Sequence, residues 1–268
     1  MYAMPARCFS WALLALLLAA PGAQAGRSCE PHKLTAGTLA SGLAMAEKTM
    51  RALDASGERV VLLARSGQDL SKYGLRYSHF GFAYQEPDGN GGHRWRVVHK
   101  LNSCGSAQAH VYRQGLGEFF LDDPWRYDAA WVAPNTDLQD RLLQMLQDDA
   151  RVLVVHAQAY SMVSYPWSTR YQQSNQWVLE TLAAALEPGV TTREKAQAWL
   201  QFKGYQPTTL KLNAFERLGA RVTAANVAFD DHPNEKRFSD RIETATVDSV
   251  FAWMQRAQLG RAMVEIRP

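Results

Sequence analysis

Apolar residues recur at three- and four-residue spacing over residues 35–55, with Leu39, Leu43, Ala46, Met50 and Leu53 in one stripe and Gly57 just past its end. This spacing predicts an amphipathic helix. The period then changes. Residues 59–65, Arg-Val-Val-Leu-Leu-Ala-Arg, form a short β-branched run that reads as a buried strand. Residues 66–76 are a loop carrying Gly67, Asp69 and Gly74. Over residues 77–84 strict alternation sets in, with Phe80, Phe82 and Tyr84 bulky on one face and His79, Gly81 and Ala83 on the other. Pro-Asp-Gly-Asn-Gly-Gly at 87–92 is the strongest turn signal in the chain, and residues 94–101 follow as the return strand of a hairpin.

Downstream, residues 112–123 read as a short helix ending in the Phe119-Phe120 anchor and an acidic loop. Residues 137–148 form an amphipathic helix with Leu138, Leu142, Leu143 and Leu146 on one side, and 152–155 read as a buried strand. A polar, aromatic loop at 160–173 leads into a helix at 174–186. Further helices are expected at 192–202, around Ala196, Trp199 and Leu200, and at 248–257, with a strand at 208–212. Repeats, low-complexity tracts and Gly/Ser linkers are absent from the sequence. The expectation is a signal segment at 1–25 and a single α+β domain at 26–268.

Composition changes this picture little. Of 268 residues 47% are hydrophobic and 21% charged, too apolar for a disordered chain. The net charge of +3 gives no reason to propose a nucleic-acid surface. The N-terminus says more. Arg7 precedes the apolar run at 11–20, and Ala23-Gln24-Ala25 is a small-x-small cleavage site, so the expectation is a cleavable signal peptide cut after Ala25. No later stretch is long and apolar enough to cross a bilayer, which points to a periplasmic or secreted protein. Cys8 leaves with the signal, and Cys29 and Cys104 remain. In an oxidising compartment two cysteines pair as a disulfide, worth roughly 4 kcal/mol on the loop-entropy argument; two separate buried thiols are the alternative. Neither cysteine opens an expected helix, so neither reads as a nucleophile.

The hairpin brings candidate chemistry together. A three-residue loop at 88–90 would set His79 opposite His99, Gly81 opposite Val97 and Ala83 opposite Trp95, small against large; a two-residue Asn90-Gly91 turn would break this pairing. Two neighbouring imidazoles could be a base with its orienter, or two satisfied core histidines.

The segments Val60-Val-Leu-Leu-Ala-Arg65, Gly67 and Tyr77-Ser-His79-Phe-Gly-Phe82 resemble the opening of the circularly permuted NlpC-like branch of the papain-fold superfamily. The resemblance covers residues 60–186. It implies a permuted papain-like core at about 59–190, a small antiparallel sheet packed against helices, and a C-terminal extension at about 191–268. It also implies a catalytic His79, an orienting His99 and a nucleophile opening a helix after Tyr171-Gln-Gln, where this chain has Ser174 instead of Cys. The whole chain, including Gln68-Asp-Leu70, His99-Lys-Leu-Asn102, Gln114-Gly-Leu116, Asn175-Gln-Trp177 and Asp230-Asp-His-Pro233, also resembles an uncharacterised family of exported bacterial proteins, a domain of unknown function.

A serine hydroxyl is far less acidic than a thiol, so a base must take its proton during attack. Ser174 therefore has three readings: helix N-cap, nucleophile, or relic of a pocket that binds without turnover. Tyr160, Tyr165, Trp167 and Tyr171 crowd the preceding loop, and with Asn175 they either line a groove for a glycan or peptide or pack as a lid. Asp230-Asp231-His232 reads as a turn before Pro233, since adjacent side chains diverge and no second cluster completes a metal site. Neither a metal nor a cofactor is expected. Two functions follow: an amide or ester hydrolase or acyltransferase of the envelope with a Ser174–His79–His99 site, or an inactive papain-like protein binding a peptide, glycan or lipid.

Overall fold

The computed structural model describes residues 34–122 and 124–268; the expected signal peptide, its cut after Ala25, and Cys29 lie outside them. Helix α1 (Ala36–Ser56) starts where Thr35 accepts from the Thr38 amide and stops at Gly57, whose φ of 69° suits glycine. Its inward side is Gly42, Met45, Ala46, Thr49 and Leu53, while Leu39, Leu43 and Met50 of the expected stripe are exposed. The reason is close packing. A Cβ at Gly42 would come within 2.5 Å of the Leu121 side chain, so the helix turns its small residues to the neighbouring chain.

The remaining helices are α2 (Leu116–Leu121), α3 (Thr136–Leu146), α4 (Asp149–Val152), α5 (Ser174–Leu186), α6 (Arg193–Phe202), α7 (Ala214–Thr223), α8 (Asn234–Arg237) and α9 (Val247–Arg256). The strands are β1 (Val60–Ser66), β2 (His79–Pro87), β3 (His93–Asn102), β4 (Ala109–Gly115), β5 (Arg126–Val132), β6 (Thr208–Lys211), β7 (Arg241–Thr244) and β8 (Val264–Ile266). Six of them form an antiparallel sheet in the order β4-β3-β2-β1-β5-β8, larger than the small sheet expected, and β6 pairs with β7 separately. No described helix is long and apolar enough to cross a membrane.

Both faces of the large sheet are covered. Phe80, Phe82 and Tyr84 pack with Trp177 and Val178 of α5, Leu142 of α3 and Trp253 of α9. Val61, Leu63, Ala83 and Val97 pack on the other side with Leu53 of α1 and Phe119 of α2. Period-two alternation thus feeds two cores from one strand.

Two local expectations fail. Residues 112–115 continue β4 and only 116–121 are helical. Residues 152–155 are no strand: Asp148 caps the amides of Ala150 and Arg151, a turn of helix forms, and Leu153 and Val154 are exposed. A side-chain cap outweighs the β-branched propensity of a short run.

The hairpin register also differs. Ala83 pairs with Val97, Gln85 with Trp95, and Pro87 with His93, around a loop at 88–92. Asp88 holds this loop by accepting from the Asn90 and Gly92 amides at 2.8 and 3.0 Å. His79 is therefore not directly opposite His99 but two residues along. A shift of two keeps every side chain on its face, whereas a shift of one would have separated the rings.

Candidate functional site

A cavity of about 910 Å³ opens at the sheet end where β1 finishes and β2 begins. Register slips between Arg65 and Ser66, and the chain leaves the sheet for the loop at 67–78. Ser78 pins that loop by accepting from the Gly67 and Gln68 amides at 2.9 and 3.0 Å. His79 follows, the first residue of β2, and lines the cavity.

His79 Nε2 and His99 Nδ1 are 2.8 Å apart, and His99 Nε2 lies 2.7 Å from Gln114 Oε1. An amide oxygen only accepts, so His99 carries its proton on Nε2 and accepts on Nδ1. Burial, aided by the Arg65 charge, pushes His99 down to about 4, which keeps it neutral. His79 must then donate from Nε2 to His99. Gln114, His99 and His79 form a directed chain ending at the cavity. Gly81 makes room for it, since a Cβ there would meet His99 Cβ at 2.7 Å. Phe119 lies under both rings, at 6.1 Å from His79 and 5.3 Å from His99, and the Arg65 guanidinium covers the same phenyl at 5.0 Å while pairing with Asp122.

Ser174 is placed differently. It is the first residue of α5, and the N-cap is Gln173, whose amide donates instead to Ala245 O at 2.7 Å. Capping by Ser174 is therefore corrected: its side chain lies beside the buried Tyr160 phenol, which burial pushes up to about 12 against the lowering effect of Ser174. Nor does α5 pack on the His79 face. Trp177 stacks on Phe82 at 5.9 Å, on the opposite side of the sheet from Phe119 and the imidazoles. Ser174 and His79 line one cavity, yet no hydrogen bond joins them among the described residues. Asn175 bridges the two elements, its Nδ2 donating to Ser78 O at 3.2 Å.

Of the residues expected to line a groove, Tyr160 and Asn175 line the cavity, and Tyr165, Trp167 and Tyr171 do not. Tyr165 lies on His232 at 5.0 Å and its amide donates to Asp231; Trp167 packs on Tyr205 at 5.9 Å; Tyr171 lies beneath Arg170. They fasten the 160–173 loop. Asp231 and His232, expected to diverge, meet at 2.9 Å, and His232 Nε2 donates to Glu243 O. The pair ties loop to β7. Among the described residues no group of three or more His, Cys, Asp or Glu is placed to hold a metal ion. Cys104 lines the cavity, and its expected partner Cys29 lies outside the described residues.

The sequence reading missed Gln114 and a second polar cluster. Lys100 Nζ, wholly buried, donates to Ala157 O, Gln172 O and Gln172 Oε1 at 2.6, 2.9 and 2.8 Å. Gln172 donates on to Glu180, which also accepts from Gln176, Arg193 and Gln197. One signal was available: Glu180 sits within Trp-Val-Leu-Glu-Thr-Leu, and a carboxylate in so apolar a helix needs buried donors.

The family model described as "uncharacterized protein conserved in bacteria (DUF2145)" matches residues 52–254, and the chain belongs to that family. No curated protein and no solved structure matches it.

Proposed function

We propose that this family member has a permuted papain-like core whose cleft holds a peptide, glycan or lipid of the cell envelope against His79 without turnover through Ser174. The observation that carries this reading is the place of Ser174 on a helix packed across the sheet from the imidazole pair, with no hydrogen bond to His79 among the described residues. Strand β1, the loop at 67–78, the His79-bearing β2 and the His99-bearing β3 follow one another in the chain, which supports this reading. In this reading residues 1–25 are removed as a signal peptide, the protein is periplasmic or secreted, and Cys29 and Cys104 are bridged; two free thiols in mass spectra taken without reductant would remove the bridge.

A second reading rests on the Gln114–His99–His79 chain, which is built as a base and its orienter would be. Here Ser174 attacks an amide or ester carbonyl, its proton passes to His79 and then to the leaving group, and water completes the cycle. A broad fluorophosphonate probe with peptide mapping decides between them. The binding reading expects no label on Ser174, and soluble peptidoglycan fragments that raise the Tm of the native chain but not of His79→Ala. Label on Ser174 that disappears in His79→Ala establishes the hydrolase.

A further inference from the structure

We infer that the cleft takes an uncharged amphiphile, one acyl chain on a head group that donates hydrogen bonds through hydroxyl or amide hydrogens. This deepens the binding reading and rests on the cleft holding a ligand. The place of the acyl chain is the wall built by β6 and β7. Alternation puts Leu210 and Leu212 of β6 on one face with Ile242, which stands opposite Leu210 on β7. Two strands alone cannot close a core. With Phe229 these three make a small core apart from the two on the large sheet, and Tyr73, Leu75, Val163, Ala220 and Val227 pack around it only half-buried. All of these except Ile242 line the cavity, so the core is hollow on that side. The cavity volume of about 910 Å³ falls in the range, roughly 300–1,000 Å³, of sites that enclose one small molecule. An acyl chain covers such a wall and gains by leaving water, whereas a sugar ring would set hydroxyls against it without partners.

The head group follows from the polar lining where the cavity meets the large sheet. Asn175 Nδ2 donates to Ser78 O at 3.2 Å and Asn226 Nδ2 to Asn102 Oδ1 at 3.0 Å, which fixes the orientation of both amides. Both residues are buried and line the cavity, and among the described residues neither Oδ1 has a hydrogen-bond partner. Buried acceptors are ordinarily met by a donor. A ligand's O–H or N–H supplies one from the cavity side. Charge is disfavoured in the head by what is already paired there. Arg65 is held by Asp122 and Lys72 by Glu216, so the arginine and lysine of the lining are answered within the protein. A carboxylate or phosphate would have to compete with these partners, and an uncharged head does not.

Titration calorimetry on the full chain tests this. 1-Monolauroylglycerol and N-lauroylglycinamide carry the same chain on a hydroxyl and an amide head; at least one is expected to bind, and the tighter identifies the head. Laurate, which is charged, and methyl laurate, which has no donor, should each bind at least ten-fold more weakly. Shortening the chain by two methylenes should weaken binding about ten-fold. Ala220→Phe, which fills the hollow from a half-buried position on α7, should weaken it by ten-fold or more; if that variant lowers the Tm, the chain-length series on the native protein decides. Affinity independent of chain length, or laurate bound as tightly as the uncharged compounds, would overturn the inference. If peptidoglycan fragments raise the Tm while neither uncharged lauroyl compound binds, the inference falls and the binding reading stands. If neither kind of ligand binds, both fall.

Discussion

His99 and Lys100 are consecutive residues of one strand, both fully buried and both held below their usual pKa. Because a strand alternates, they serve opposite sides of the sheet. His99 belongs to a chain that reaches the cavity, with Gln114 behind it and His79, which lines the cavity, ahead. Lys100 belongs to a closed cluster in which each hydrogen of an ammonium meets an oxygen and Glu180 gathers the donors of three glutamines and Arg193. Burial and a perturbed pKa therefore do not separate site from scaffold here. What separates them is whether the hydrogen-bonded chain terminates at a surface a ligand can reach.

The contrast is broken most easily at Glu180. Glu180→Ala leaves the Arg193 guanidinium buried without its carboxylate and should cost about 3–5 kcal/mol in urea denaturation. His79→Ala removes the hydrogen bond to His99 at a partly exposed position and should cost about 1 kcal/mol. Should Glu180→Ala prevent folding, Glu180→Gln ought still to destabilise more than His79→Ala. Equal losses would mean that the two chains are scaffold alike.

Acid separates them next. His99 titrates near 4 in the folded chain and near 6.5 when unfolded, so between those values the unfolded state binds the extra proton. Stability is full above about pH 6.5 and falls as pH drops towards 4, by at most about 3 kcal/mol. His156, also pushed down to about 4 by burial, acts in the same window. Subtracting the curve of His99→Gln from that of the native chain isolates the share of His99. No difference between the two curves would place a charged His99 in the fold and reverse the direction of the relay.

How much of this was legible follows from what kind of signal each feature leaves. The α1 caps, the hairpin and the shared face of His79 and His99 are written in local pattern, and the face survived a wrong register because the error was an even number. Strand β5 was missed. Its Arg-Tyr-Asp-Ala-Ala-Trp-Val is covered on both faces and does not alternate, and its Asp128 is buried only because Arg76 and Arg126 reach it from outside. Gln114 was missed because a short polar run ahead of Leu116 resembles the first turn of a helix. Ser174 was found at a helix start but given the wrong face, since spacing along α5 cannot say which side of a sheet that helix covers.

The smallest effect is expected at Ser174, and it is the most discriminating. Ser174 is not the cap of α5, so Ser174→Ala should not cost the full cap worth of about 1 kcal/mol. Alanine favours the helix by a few tenths of a kcal/mol, and the loss is the contact with Tyr160. A double-mutant cycle with Tyr160→Phe should therefore show coupling of about 0.5–1.5 kcal/mol, whereas the cycle with His79→Ala should show none beyond roughly 0.3–0.5 kcal/mol, the scatter of independent sites. Coupling to His79 in place of Tyr160 would mean that the serine and the imidazole share a proton in solution. The serine would then belong to the chain that reaches the cavity rather than the scaffold, and the site would be a hydrolase poised to act.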